Sequence, residues 1–520
     1  MAKIAKIANK AVLRLNIYTV KNTFFKLCVC LFAIMFSTLI AVYKPMRIFH
    51  LSAECYPVAK VGGLADVVGA LPKYQTLAGH NAAVVMPFYD RKFTRENEFE
   101  TVFQGATLLG IRRLYFEILK EKTNKLGFEL YLVKIPGLID RENIYSYPDE
   151  TEQFIAFQIA FLDWISYSQQ SPDIIHCHDH HSGLVPFLLQ YSKLYTRLSK
   201  TPTVFTIHNG QYHGAFGWDK LSYLPEIDLT KTGLLDWSGG INPLASAVRC
   251  ASRYTTVSPS YLEELTTNSN GLEFLFFLER AKGLGIINGI DTEVWNPATD
   301  PMIAERFTAA KVAAGKQKNK EALCTRFNLD PTQALISFIG RLVGEKGADL
   351  LAEAIETSLA DYTGKVNFLI LGAGDPQTEM DLQELKEKFP ADCNVYIGYN
   401  EELAHLFYAG SDFLLMPSRV EPCGLNQLYS LRYGTMPMVR STGGLKDTVI
   451  DFGDKGGYGI SYLNTSVEDI CYAVSRAIVL FDDNKTLQTL RKRMMALDFS
   501  WDVSAKQYME LYQSLNTTTI

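Results

Sequence analysis

The stretch Ser418-Arg-Val-Glu-Pro-Cys-Gly-Leu-Asn-Gln-Leu-Tyr-Ser-Leu-Arg-Tyr-Gly434 decides how this chain is read. The apolar run just before it, residues 412–416, predicts a buried parallel strand, and a helix is expected to open near Gly424. That order puts Glu421, Cys423 and free backbone N–H groups at the carboxyl end of a strand, where open α/β sheets bind their ligands. A helix N-terminus favours an anion, and a carboxylate beside it can hold sugar hydroxyls. A phosphorylated sugar would satisfy both.

The alternation of strand, turn and helix extends in both directions. Strands are expected at 47–52, 83–87, 129–135, 173–177 and 203–207, and again at 335–340, 366–371, 395–398, 412–416 and 436–440. Helical segments between them argue for parallel sheets covered on both faces. Residues 296–328, rich in Ala, Lys and turn chemistry, read as the hinge between the two series. The expected architecture is α/β, two Rossmann-like domains facing one cleft. A final amphipathic helix from Trp501 would pack back on the first domain. The divisions expected are a leader over 1–45, a first domain over 46–300, a second over 301–497 and the terminal helix segment over 498–520.

With 520 residues the chain exceeds a single core. Its 47% hydrophobic and 21% charged content is ordinary for a globular protein. A net charge of −5 gives no electrostatic case for nucleic acid. Nine cysteines without a Cys-x-x-Cys pair point to a reduced compartment rather than a zinc or disulfide framework. Residues 1–45 contain no Asp or Glu, and the seventeen residues 27–43 are almost wholly apolar. Three readings stay open there: a mis-assigned start upstream of Met46, a membrane anchor, or a targeting segment. The expected location is cytoplasmic, with a membrane-anchored or plastid location as the alternative through residues 1–45.

Other strand ends carry chemistry. Lys60-Val-Gly62-Gly63-Leu-Ala-Asp66 offers a lysine, two glycines that permit close backbone approach, and a helix N-terminus. On its own it is also compatible with a plain turn. His176-Cys-His-Asp-His-His181 invites a metal reading, but it contains no i, i+4 pair of histidines. It reads better as a strand end presenting Asp179 and its neighbours to the cleft, and no metal is expected. His208-Asn209 ends a further strand in the same way. Gly340-Arg341-Leu-Val-Gly-Glu-Lys346-Gly347 places Arg and Lys on one loop able to clamp a diphosphate. Leu371-Gly-Ala-Gly-Asp375 lacks the third glycine of a dinucleotide fingerprint, which weakens a dehydrogenase reading.

Together these motifs resemble the bacterial glycogen synthase and plant starch synthase family. The matching segments are Lys60-Val-Gly-Gly-Leu-Ala-Asp-Val-Val, His176-Cys-His-Asp, Thr206-Ile-His-Asn, Thr255-Thr-Val-Ser-Pro, Asn288-Gly-Ile-Asp, Gly340-Arg-Leu, Pro417-Ser-Arg-Val-Glu-Pro-Cys-Gly-Leu and Ser441-Thr-Gly-Gly-Leu-Lys-Asp-Thr-Val, in the family's order from about Met46 onward. The resemblance implies a GT-B fold. It also implies transfer of glucose from a nucleotide diphosphate sugar, generally ADP-glucose, to an α-1,4-glucan with retention and without a cofactor. Arg341 and Lys346 would then neutralise the leaving diphosphate and Glu421 would sit at the donor sugar. Cys423 and Gly424 would line the same loop. Lys60, in its Gly62-Gly63 loop, would meet the diphosphate from the other domain. Asp179 and His208 would shape the sugar pocket with Asn288 nearby, and Tyr399 would stack on adenine. Two departures stand out: Asp179-His-His-Ser182 where the family commonly has Asp-Trp-His-Ala, and Asn426 where it often has Thr. Rival readings are a related transferase with another acceptor, such as a lipid, and a silent glucan-binding relative.

Overall fold

A computed structural model describes residues 45–168 and 170–517. The leader expected over 1–45 lies outside the described residues, Pro45 apart. Among the described residues no helix is long and apolar enough to cross a membrane.

The first sheet is built from β1 (Arg47–Leu51), β2 (Asn81–Pro87), β3 (Phe99–Leu109), β4 (Arg112–Glu121), β5 (Glu129–Lys134), β6 (Ile174–His178) and β7 (Thr203–Ile207). After a two-residue hairpin, β8 (Asp236–Trp237) with β9 (Gly240–Ile241), it is completed by β10 (Arg253–Thr256) and β11 (Gly283–Gly285). The strand order is β11-β10-β7-β6-β1-β2-β5-β4-β3. Strands β1, β2, β6 and β7 are buried on both faces along almost their whole length and pair in parallel. The edge departs from the all-parallel expectation, because β3, β4 and β5 pair antiparallel. Strands β3 and β4 have many solvent-exposed positions. A hairpin with one wet face lacks the continuous apolar run by which the other strands were legible.

The second sheet holds β12 (Ala334–Ile339), β13 (Val366–Gly372), β14 (Cys393–Ile397), β15 (Phe413–Met416), β16 (Met436–Arg440) and β17 (Ile460–Tyr462). They are parallel, in the order β14-β13-β12-β15-β16-β17. In each sheet the order reverses at the first strand, between β1 and β6 in one and between β12 and β15 in the other. The crevice at such a reversal is where a doubly wound sheet takes its ligand.

Six helices bear on the site: α1 (Gly63–Leu77), α2 (Pro259–Glu264), α3 (Val312–Phe327), α4 (Asn426–Arg432), α5 (Gly443–Thr448) and α6 (Trp501–Thr517). The hinge expected over 296–328 is corrected by α3, which belongs to the second domain. Two of its lysines, Lys316 and Lys320, are buried rather than solvated. The Lys316 amine donates to the carbonyls of Tyr408 and Ala409 and to the Thr435 hydroxyl. Lys320 lies 2.6 Å from Asp412, whose other oxygen takes Arg491 at 2.6 Å. The chain instead crosses near Ile290, whose N–H donates to Phe499 O at 2.8 Å, so the outward and return crossings lie side by side.

Helix α6 returns to the first domain as expected. Trp501, Ala505, Tyr508 and Tyr512 recur at helical spacing and are buried against Ile48, Val67, Leu71, Ile174 and Val204. Each large side chain buried there contributes roughly 1.5–3 kcal/mol. The Tyr512 hydroxyl also meets Gln75 Nε2 at 3.3 Å and His176 Nδ1 at 2.6 Å.

Candidate active site

The second domain's wall is made by the loops after β12 and β15. They interlock through backbone. The Arg419 N–H donates to Glu345 O at 2.8 Å, and the Arg440 guanidinium donates to the carbonyls of Ser418 and Arg419. Two glycines permit this packing. Gly347, at φ 67°, would place a Cβ 2.2 Å from Pro417 O, and Gly443, at φ 43°, would place one 2.1 Å from Glu421 O. Glu421 is thereby held with both carboxylate oxygens engaged. Lys346 Nζ lies 2.7 Å from Oε1, and the Ser418 hydroxyl donates to Oε2 at 2.8 Å. The Glu421 side chain is 9% exposed and that of Lys346 20%. Arg341 shares the Lys346 loop but reaches into open solvent, 61% exposed and 3.6 Å from Glu345. Gly424 adopts φ 75° ahead of α4, and Asn426 Nδ2 donates to Ile339 O at 2.7 Å, joining the two loops.

The first domain's wall is made by the ends of β1, β6 and β7. Asp179 has a positive φ of 55°, and its carboxylate accepts the His208 N–H at 2.8 Å. Burial, with Glu54 adding to it, pushes its carboxyl up to about 7 against the opposing backbone N–H groups. The amide of Gly62 is already spent on Glu54, whose Oε2 accepts it at 2.9 Å together with Val61 N–H at 2.5 Å. Oε1 of Glu54 accepts the Tyr145 hydroxyl at 2.7 Å. A Cβ built on Gly62 or Gly63 would meet open space, so this loop borders a void. Lys60 reaches Asp66 at 2.7 Å and remains 40% exposed. Tyr399 is 83% exposed, with Glu401, Tyr56 and Asp66 as its electrostatic neighbours.

The histidine cluster is corrected most. His176 and His178 were expected to face the cleft with Asp179, yet both are fully buried. They stack at 4.2 Å between ring centroids, and His50 from β1 joins them. Every ring nitrogen of the three has a protein partner. His176 uses Tyr512 and Thr206, His50 uses Gln75 and His178, and His178 uses His50 and His208. Burial drives all three imidazoles below their usual range, His50 to about 4, and takes His208 down to about 3. Cys423 is corrected too. Its thiol is buried in the first domain's apolar core and takes the Asn288 backbone N–H, so it packs between domains rather than facing a donor. Asn288 is itself buried, and its Oδ1 meets no partner among the described residues.

Polar clasps join the two walls. Ser258 donates to Pro422 O at 2.6 Å, and Ser260 engages both oxygens of Asp447. From the end of α2, Glu264 accepts the Gly443 N–H at 2.7 Å at the start of α5. The carboxyl edges of both sheets therefore border one cleft. Cations and the Glu421 carboxylate stand on one side, with Asp179, His208 and Glu54 on the other. Such a cleft can bind a sugar through its hydroxyls while cations meet a departing anion. Sequence reasoning missed Glu54, His50 and Gln75. Glu54 alone carried a signal, a carboxylate three residues past a strand.

A family model for the starch synthase catalytic domain matches residues 47–278, and one for glycosyl transferases group 1 matches 319–489. The glycogen synthase of Flavobacterium johnsoniae is 56% identical over 467 residues, covering 90% of this chain and 98% of that protein. The chain belongs to the glycogen synthase family. A second glycogen synthase, from Anoxybacillus flavithermus, is 36% identical over 482 residues, covering 90% of this chain and 98% of its own length. The catalytic domain of starch synthase IV from Arabidopsis thaliana, solved bound to ADP and acarbose, superimposes with a TM-score of 0.82 at 31% identity, covering 91% of this chain and all of that one. Membership in the glycogen synthase family makes the chain a glycosyltransferase of glycogen or starch synthesis with the GT-B architecture.

Proposed function

We propose that the chain transfers glucose from ADP-glucose to the non-reducing end of an α-1,4-glucan, with retention at the anomeric carbon. The observation carrying this reading is the Lys346–Glu421 pair, held at the reversal of the second sheet with Arg341 beside it on the same loop. In this mechanism the bond between the anomeric carbon and the diphosphate oxygen breaks first. Lys346 and Arg341, with Lys60 from the other wall, offset the charge that develops on the leaving group. Glu421 and Asp179 face the oxocarbenium-like sugar. The acceptor hydroxyl attacks from the face the diphosphate has left, and its proton passes to a diphosphate oxygen. ADP and a glucan longer by one residue result. Both oxygens of Glu421 are already engaged, which favours this ion-pair route over a covalent intermediate on that carboxylate.

The starch synthase IV structure was bound to ADP, which supports adenine as the donor base. Tyr399, exposed at the cleft, would stack on it. No cofactor is needed in this scheme, because cations of the chain meet the leaving group and the ring nitrogens of His50, His176 and His178 already hold protein partners. Glu150, His180 and His181 form a second group whose donor atoms lie within 4.8 Å of one another. EDTA should leave turnover unchanged, and loss restored by zinc would refute the cofactor-free scheme. The defining test is incubation with labelled ADP-glucose or UDP-glucose and glycogen. Faster incorporation from ADP-glucose is expected. Binding without incorporation, or a preference for UDP-glucose, would refute the reading.

A further inference from the structure

A line of hydrogen bonds runs from the first domain's interior to the cleft. Gln75, on α1, meets His50 Nε2 through Oε1 at 2.7 Å. His50 Nδ1 meets His178 Nε2 at 3.0 Å, and His178 Nδ1 meets His208 Nε2 at 3.0 Å. The first three residues are fully buried, and His208 ends the line at the carboxyl edge of β7 beside Asp179. Nothing in the transfer mechanism uses Gln75, His50 or His178.

The line has a direction. Gln75 Nε2 faces the Tyr512 hydroxyl, which leaves Oε1 to accept from His50. A neutral imidazole carries one N–H. If His50 donates from Nε2, its Nδ1 must accept, so His178 donates from Nε2 and accepts at Nδ1. The last donor is then Nε2–H of His208. Its Nδ1, which no group among the described residues engages, is left as a bare lone pair. Which nitrogen of an imidazole keeps its proton is set by the hydrogen bond the other one makes.

We propose that Gln75, His50 and His178 are positioning residues for glucosyl transfer, fixing His208 as the Nε2–H tautomer so that Nδ1 accepts a hydroxyl of the bound sugar. This rests on the reading of His208 as a residue of the sugar pocket. Their burial keeps the rings neutral, which a one-directional line requires, since an imidazolium would donate at both nitrogens. Helix α6 takes part through Tyr512, so the returning segment of the chain orients the amide that sets the direction.

The tautomer can be read without substrate. The chain has nine histidines, few enough to label with 15N and assign by substitution. In two-bond 15N–1H spectra of the full chain at neutral pH, His208 should appear as Nε2–H. A His50→Leu variant removes the acceptor for His178, so a second His208 tautomer should appear. Its kcat should fall about ten-fold or more with the glucan KM little changed, as loss of an orienting partner commonly does. His50→Asn, whose amide oxygen can take the place of Nδ1, should restore both tautomer and rate. Should His50→Leu fail to fold, Gln75→Leu removes the terminal acceptor, along with the Nε2 contact to Tyr512, and tests the same direction. A wild-type His208 found as Nδ1–H or as a cation would overturn the proposal. So would a folded His50→Leu protein with unchanged kcat. The expected tautomer in a protein that does not turn over ADP-glucose would refute the functional reading and leave the positioning intact.

Discussion

Replacing Lys346 by Ala tests the proposed chemistry most directly. Its amine is 2.7 Å from Glu421 and 20% exposed, whereas Arg341 on the same loop is 61% exposed. A unit charge about 4 Å from a developing phosphate charge is worth about 4 kcal/mol at an effective dielectric of about 20, and only about 1 kcal/mol in bulk water. The sheltered lysine belongs nearer the first figure, which corresponds to roughly three decades in rate. Lys346→Ala should therefore lower kcat about 10³-fold. Glu421 keeps the Ser418 hydroxyl, and the lost charge-assisted hydrogen bond should cost about 1–3 kcal/mol of stability, leaving a folded enzyme. The assay is the initial rate of labelled glucose incorporation from ADP-glucose into glycogen, over ranges of both substrates, with circular dichroism as the fold control. Near-normal kcat would refute the leaving-group assignment. So would a loss carried wholly by the glucan KM, since that would place Lys346 in acceptor binding.

Glu421→Gln preserves volume and the Ser418 contact but removes the charge, so turnover should fall severely while donor affinity, measured by calorimetry, changes little; loss confined to donor binding would contradict this. Asp412→Ala leaves Lys320 and Arg491 as buried cations without their carboxylate and should cost about 3–5 kcal/mol, read as a large drop in melting temperature; a small shift would show that the triad relaxes. Acidification should destabilise the fold through its buried histidines. Between about pH 6.5 and the lowered value of about 4, an unfolded His50 binds a proton that the native state refuses, so stability is full above the unfolded value and is lost as pH falls. The slope is about 1.4 kcal/mol per pH unit for each such histidine. Asp179, held up at about 7, contributes the opposite slope, so the comparison is with His50→Asn, whose melting temperature should fall less between pH 7 and 5. Equal falls in the two proteins would refute the linkage.

The sequence by itself determined the strands whose side chains are covered on both faces, because burial makes them continuous apolar runs. Strand β16 lies where residues 436–440 predicted it, and β7 where 203–207 did. Helix α6 was legible because its buried stripe recurs at helical spacing. The motifs at strand ends were legible because a doubly wound sheet gathers them at one edge. Other features had no local signature. Strands β3 and β4 mix exposed and buried positions, and α3 hides buried lysines under a composition that reads as a linker, since their partners lie about ninety residues away. Only tertiary structure decided that Lys346 meets Glu421 across 75 positions, that Cys423 packs between domains, and that His176 and His178 turn inward. Patterning along a chain records whether each residue meets water or core. The partner of a buried polar group is fixed by which strands become neighbours, and β1 and β6, 128 positions apart at His50 and His178, become neighbours only when the sheet forms.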